Sequence, residues 1–121
     1  MPNLHQVTGW IDAYRRAWNS NDADDIGRLF ADDAQYYTEP FGQPWRGRQS
    51  IVEHWLARKD EPGQTAFAWH PVALTEELAV VQGTTTYIKD AVTCSNLWVI
   101  RFDHAGRCTE FTEWWMKQPA R

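Results

Sequence analysis

Apolar residues in the first half of the chain recur every three or four positions, and in the second half they alternate. Trp10, Tyr14, Ala17 and Trp18 fall on one side of a helix, with Asp12, Arg15 and Arg16 on the other. Asn19-Ser20-Asn21-Asp22 stops that helix and caps the next, because short polar side chains satisfy free backbone N–H groups. The second helix is short, with Ile26, Leu29 and Phe30 as its buried stripe. Tyr36, Tyr37 and Thr38 favour the extended state and predict a short strand over Ala34 to Glu39. Pro40, Gly42, Pro44 and Gly47 mark a loop. A third helix runs from Arg48 to Lys59, burying Ile51, Trp55 and Leu56, and Glu61-Pro62-Gly63 ends it.

Four strands follow, over Thr65 to Leu74, Ala79 to Ile88, Ser95 to Phe102 and Arg107 to Met116. Thr75-Glu76-Glu77, Lys89-Asp90 and Asp103-His104-Ala105-Gly106 turn the chain between them. Three helices followed by long antiparallel strands is an α+β pattern, with the helices covering one face of a single sheet. Long strands twist, so the sheet wraps a helix and leaves a concave face able to hold a ligand. At 121 residues the chain fits one domain spanning 1–121, with roughly two-thirds of the unfolded surface buried.

The last turn sets a register. If His104 lies opposite Arg107, then Trp98 faces Glu113, Asn96 faces Trp115 and Ile100 faces Phe111. Alternation puts these six side chains on one face: apolar walls with one carboxylate and one amide, the mixture a pocket floor needs. Leu97, Val99, Arg101, Glu110, Thr112 and Trp114 take the other face, where they would serve a dimer. The same register puts Cys108 opposite about Asp103 and Cys94 opposite about Lys117, too far apart for a disulfide. Both are expected as reduced thiols, as in the cytoplasm.

Composition sharpens the picture in one respect. Eight Trp, four Tyr and five Phe make 14% of the chain aromatic, a surplus that suggests an aromatic-lined cavity or a flat oligomer interface. The net charge of −4 argues against nucleic acid, since the closest approach to a basic face is Arg46 and Arg48 around Gly47. No run of about 18 apolar residues spans a membrane. Met1-Pro2-Asn3-Leu4-His5 has no basic segment leading into an apolar stretch, so no signal peptide is expected. His5, His54, His70 and His104 are not spaced as metal ligands, and no glycine-rich phosphate loop occurs, so neither metal nor nucleotide cofactor is expected.

Phe30-Ala31-Asp32-Asp33-Ala34, Pro40-Phe41-Gly42-Gln43-Pro44, Gly47-Arg48 with Ile51, and the ending Phe102-Asp103-His104-Ala105-Gly106-Arg107 with Glu113-Trp114-Trp115 resemble the nuclear transport factor 2-like superfamily. More narrowly they are similar to its SnoaL-like and ketosteroid-isomerase-like branch. The resemblance implies a cone: a curved antiparallel sheet wrapped around the three N-terminal helices, a pocket open at one end, and a homodimer through the outer sheet face. It also implies cofactor-free acid–base chemistry. The isomerases' oxyanion-donating Tyr falls on Tyr14 and their proton-shuttling Asp on Glu39, just before Pro40. Their second acid falls on Trp98, whose indole is a donor only, and a pocket Trp on Trp115. Asp32-Asp33 is expected to do turn duty.

A carboxylate among indoles loses solvation and its pKa rises, which suits it to proton transfer near neutral pH. Glu39 with Tyr14 forms one candidate pair, and Glu113 is a second acid or base unless it pairs with Arg101 or Arg107 across the hairpin. Trp18, Tyr37, Phe41, Trp55, Asn96, Trp98 and Trp115 are the expected ligand contacts. The expected activity is isomerisation, cyclisation or dehydration of a small hydrophobic carbonyl compound. The rival readings are a binding module with the same pocket, and a dimer whose Trp-rich interior is only core.

Overall fold

A computed structural model of the chain describes residues 3–119. Met1 and Pro2, where the leaderless start was expected to begin, lie outside the described residues. Helix α1 spans Leu4–Ser20. Asn3 caps it by accepting from the Gln6 N–H, while the Gln6 side chain accepts from the Asn3 N–H, so two free donors are satisfied reciprocally. Asn21 ends the helix in the left-handed conformation at φ 51°, and Asp22 caps the short α2, Ala23–Gly27, as the polar run predicted. The third helix, α3, covers Arg48–Ala57.

Six strands form one curved, open sheet in the order β2-β1-β6-β5-β4-β3. They are β1 (Phe30–Tyr37), β2 (Trp45–Arg46), β3 (Thr65–Leu74), β4 (Leu78–Tyr87), β5 (Val92–Phe102) and β6 (Cys108–Lys117). Pro71 lacks an N–H, and it sits on the edge strand β3 where the register to β4 shifts. The β5–β6 hairpin has the register read from its turn: Trp98 opposite Glu113, Asn96 opposite Trp115, Ile100 opposite Phe111. Cys94 lies opposite Lys117 and Cys108 opposite Phe102, and both cysteines are free.

The first strand departs from expectation. Phe30 does not continue the second helix; it opens β1, where it pairs with Cys108, and the Cys108 N–H bonds to the Leu29 carbonyl. The sheet is not wholly antiparallel either, because β1 lies parallel to β6. No hairpin joins those two strands, so no turn dictates their direction. Asp32 and Asp33 lie not in a turn but where the β1 register slips between Phe30 and Gln35, and Asp32 pairs with Arg48 at 2.7 Å. Arg48 also donates twice to the Phe30 carbonyl, tying the start of α3 to β1. The expected loop carries the small strand β2, and Gly47 leaves it at φ 87° with its N–H on the Ala34 carbonyl.

The core lies between α1 and the concave face. Val7, Trp10, Ile11, Tyr14 and Ala17 form the buried stripe of α1. They meet Val81, Trp98, Ile100 and Phe111 of the sheet, all buried. The Tyr14 ring centre lies 4.7 Å from that of Trp98, and Trp10 spends its indole N–H on the Leu29 carbonyl at 3.0 Å. Gly83 is required by packing: a Cβ there would fall 2.6 Å from the Phe67 ring, which stacks on Trp98 at 4.6 Å. Among the described residues no helix is long and apolar enough to cross a membrane.

Candidate functional site

Alternation along β4, β5 and β6 brings Thr85, Asn96, Trp98 and Glu113 to the concave face. One oxygen of Glu113, Oε2, accepts from the Trp98 indole at 2.6 Å and from the Asn96 amide at 3.2 Å. The Asn96 carbonyl oxygen in turn accepts from the Thr85 hydroxyl at 2.8 Å. Each side chain in this chain of bonds orients the next. Burial pushes the Glu113 carboxyl up to about 7, against the pull of its two donors toward the charged form. Desolvation wins, and the acid is poised to hold or release a proton near neutrality.

Two tyrosines complete the polar floor. Tyr14 on α1 and Tyr36 on β1 share a hydrogen bond of 2.8 Å. One hydroxyl donates to the other, so the second keeps its proton for a group in the cavity. Burial holds both phenols well above the usual tyrosine range, and the nearby Glu113 adds to the effect. Tyr87 is pushed up to about 12, again chiefly by burial. All three therefore remain neutral donors at physiological pH.

These groups line an inner hollow of about 160 Å³ walled by Trp18, Trp45, Trp55 and Trp98, with Arg58, Lys59 and Asp60 at its rim. Asp60 fixes Trp18 by accepting its indole N–H at 2.8 Å. A second, outer hollow of about 400 Å³ shares Tyr36, Tyr87, Asn96 and Glu113 and adds Thr38, Val92, Cys94, Trp115 and Lys117. Glu113 faces both. The inner space alone is smaller than a typical small-molecule site of about 300–1,000 Å³, but the adjoining pair falls within it. Among the described residues no group of three His, Cys, Asp or Glu is arranged to hold a metal.

The sequence matches the family model described as the SnoaL-like domain over residues 11–111. The chain belongs to the SnoaL-like family. No curated protein matches it significantly. Its fold is similar to that of an NTF-2-like protein of unknown function from Burkholderia xenovorans LB400, with TM-score 0.74 and 15% identity over 97% of this chain and 87% of that one. It is also similar to an NTF2-like protein of unknown function from Mesorhizobium loti, with TM-score 0.70 and 18% identity over 96% and 97%. A protein from Sphaerobacter thermophilus gives TM-score 0.70 and 18% identity over 90% of this chain and 94% of that one. These likenesses establish the nuclear transport factor 2-like cone, and the chemistry must be argued from the residues.

Within this SnoaL-like cone, Tyr14, Trp18, Trp55, Asn96, Trp98 and Glu113 converge on the inner hollow, and Trp115 lines the outer one. Three expected site residues line neither. Glu39 is exposed, because β1 ends at Tyr37 and the chain turns, with the Gly42 N–H on the Glu39 carbonyl. Its side chain folds over Gly42, where a Cβ would meet it at 2.8 Å. Tyr37 lies on the opposite face from Tyr36 and donates to Gln35 at 3.0 Å. Phe41 is 95% exposed and lies beside Trp114, not within the pocket. Glu113 pairs with neither Arg101 nor Arg107; Arg101 faces Glu110, and Arg107 faces Asp103.

Of the inner lining, Tyr36, Trp45, Thr85, Tyr87 and the Arg58-Lys59-Asp60 rim were missed. Thr85 and Tyr87 share the phase of Val81 along their strand, a signal available in the alternation. The rim lacked any such signal, since it depends on how the end of α3 approaches Trp18.

Proposed function

We propose that the paired hollows bind a small, largely apolar carbonyl compound, and that Glu113 moves a proton on it without a cofactor. The observation that carries this reading is the partly buried Glu113 carboxyl, raised to about 7 and adjoining the neutral Tyr14–Tyr36 donor pair. Glu113 as carboxylate takes the proton on the carbon next to the carbonyl, and the electron pair shifts onto the oxygen. The free hydroxyl proton of the tyrosine pair stabilises the resulting enolate. Returning the proton to a different carbon gives isomerisation. With a β-hydroxyl present, collapse of the enolate breaks the carbon–oxygen bond, and the proton held by Glu113 passes to that oxygen to release water. Glu113 thus takes the base role that the resemblance had assigned to Glu39, with Asn96 and Trp98 holding it in place.

The test is proton–deuterium exchange of 2-tetralone at its α carbons in D₂O near neutral pH, followed by proton NMR. The wild-type protein is expected to accelerate exchange, and Glu113→Gln to lower that rate by roughly 10²–10⁴ while the ketone still binds. Binding without accelerated exchange would contradict the catalytic reading. It would favour the binding-module alternative, in which the two bonds to Oε2 make Glu113 a brace for Trp98.

We read the chain as one domain over 1–121 that acts as a homodimer through its outer sheet face. Val80, Leu97, Val99, Trp114 and Met116 supply apolar surface there. The free thiols of Cys94 and Cys108 fit a reducing compartment such as the cytoplasm.

A further inference from the structure

The rim of the inner hollow carries charge that the proton chemistry does not use. We infer that the ligand bears an anionic head group, a carboxylate or a phosphate monoester, held at this rim by Arg58 and Lys59. The inference rests on the pocket reading above and adds the ligand's charge and orientation.

Arg58 and Lys59 follow the C-terminal end of α3, are exposed, and line the same hollow as the polar floor residue Glu113. None of the ion pairs among the described residues involves either of them. The adjacent carboxylate, Asp60, is engaged through Oδ2 by the Trp18 indole. The Arg58 guanidinium rests on the Trp45 ring, 5.6 Å from its centre, and that contact holds the cation beside the opening. An arginine and a lysine at the end of a helix also complement its dipole. That role alone gives no ligand preference, so the two explanations separate in solution.

The orientation follows from the acid inside. An anion placed against Glu113 would be repelled by its charged form, and every donor there is neutral: the indole and amide that Glu113 already occupies and the free hydroxyl of the tyrosine pair. The head group therefore stays at the rim, and the apolar carbonyl end enters among Trp18, Trp55 and Trp98. The chain as a whole is negative, at −4, so a preference for anions must come from local cations: Arg58 and Lys59 at this rim, or Lys117 in the outer hollow, which substitution of the rim pair leaves in place.

The experiment measures quenching of tryptophan fluorescence by three probes: 4-oxo-4-phenylbutanoate, its methyl ester and 3-phenylpropyl phosphate. The carboxylate is expected to bind about tenfold more tightly than the ester, the scale of one charge-assisted hydrogen bond. That ratio is expected to shrink in high salt and to collapse to about one in the double variant Arg58→Gln, Lys59→Gln. A phosphate that binds more tightly than the carboxylate supports the inference and assigns the phosphate monoester as the head group. An ester that binds as tightly as the acid overturns it, and so does a ratio that survives in the double variant. Quenching by none of the probes overturns the pocket reading as well, whereas 2-tetralone exchange without anion preference overturns this inference alone.

Discussion

Glu113 sits where the energetics of folding and of chemistry pull in opposite directions. Its ordinary pKa is 4.5, and burial moves it to about 7 in the folded protein. Between those values the folded state binds a proton that the unfolded state has released. Stability is therefore highest below about pH 4.5 as far as this group is concerned, and it falls as pH rises through about 7. The loss attributable to Glu113 is about 3 kcal/mol, the cost of burying its charged form. Urea unfolding at pH 5 and pH 8 checks this: wild type is expected to lose stability over that interval relative to Glu113→Gln. An equal pH dependence in the two proteins would remove the shift. At this scale the sequence was informative wherever one turn decided the answer. The Ala105-Gly106 hairpin put Trp98 opposite Glu113, and that pair holds in the structure. It was uninformative for Tyr36 against Tyr37, because their facing depends on a parallel partner, β6, with an irregular register between Phe30 and Gln35.

Among the elements, the strands of the second half were legible nearly to their ends, since alternation and turn residues agree along them. Residues 28–47 were not. Helix α2 is only Ala23–Gly27, too short for periodicity to mark its end, so Phe30 read as helical. The end of β1 mattered more, because it carried Glu39 out of the sheet and into an exposed turn. The convex face of the sheet has its own consequence. Leu97 lies opposite Trp114 and Val99 opposite Thr112, while Trp114 and Met116 are 45% and 72% exposed. If this face joins two copies, sedimentation equilibrium should give a mass near twice that of the chain, and Leu97→Glu should shift it to the monomer. A wild-type monomer at micromolar concentration would contradict the arrangement.

Over the whole molecule, the aromatic surplus is divided between two duties. Trp10, Phe30 and Phe111 fill the core under α1, while Trp18, Trp45, Trp55 and Trp98 wall a space that is left open. The aromatic surplus pointed to a cavity wall or an oligomer interface and could not tell wall from core, because an indole wall and an indole core have the same sequence pattern. What separates them is the polar chain of Thr85, Asn96 and Glu113 on one side and the Tyr14–Tyr36 pair on the other. The proton chemistry depends on that partly buried acid being half-charged at neutral pH. Its most direct test is a carbon-13 NMR titration of the Glu113 side-chain carboxyl, assigned by comparison with Glu113→Gln. The account predicts a midpoint near 7, and a midpoint near 4.5, that of a solvated glutamate, would contradict it.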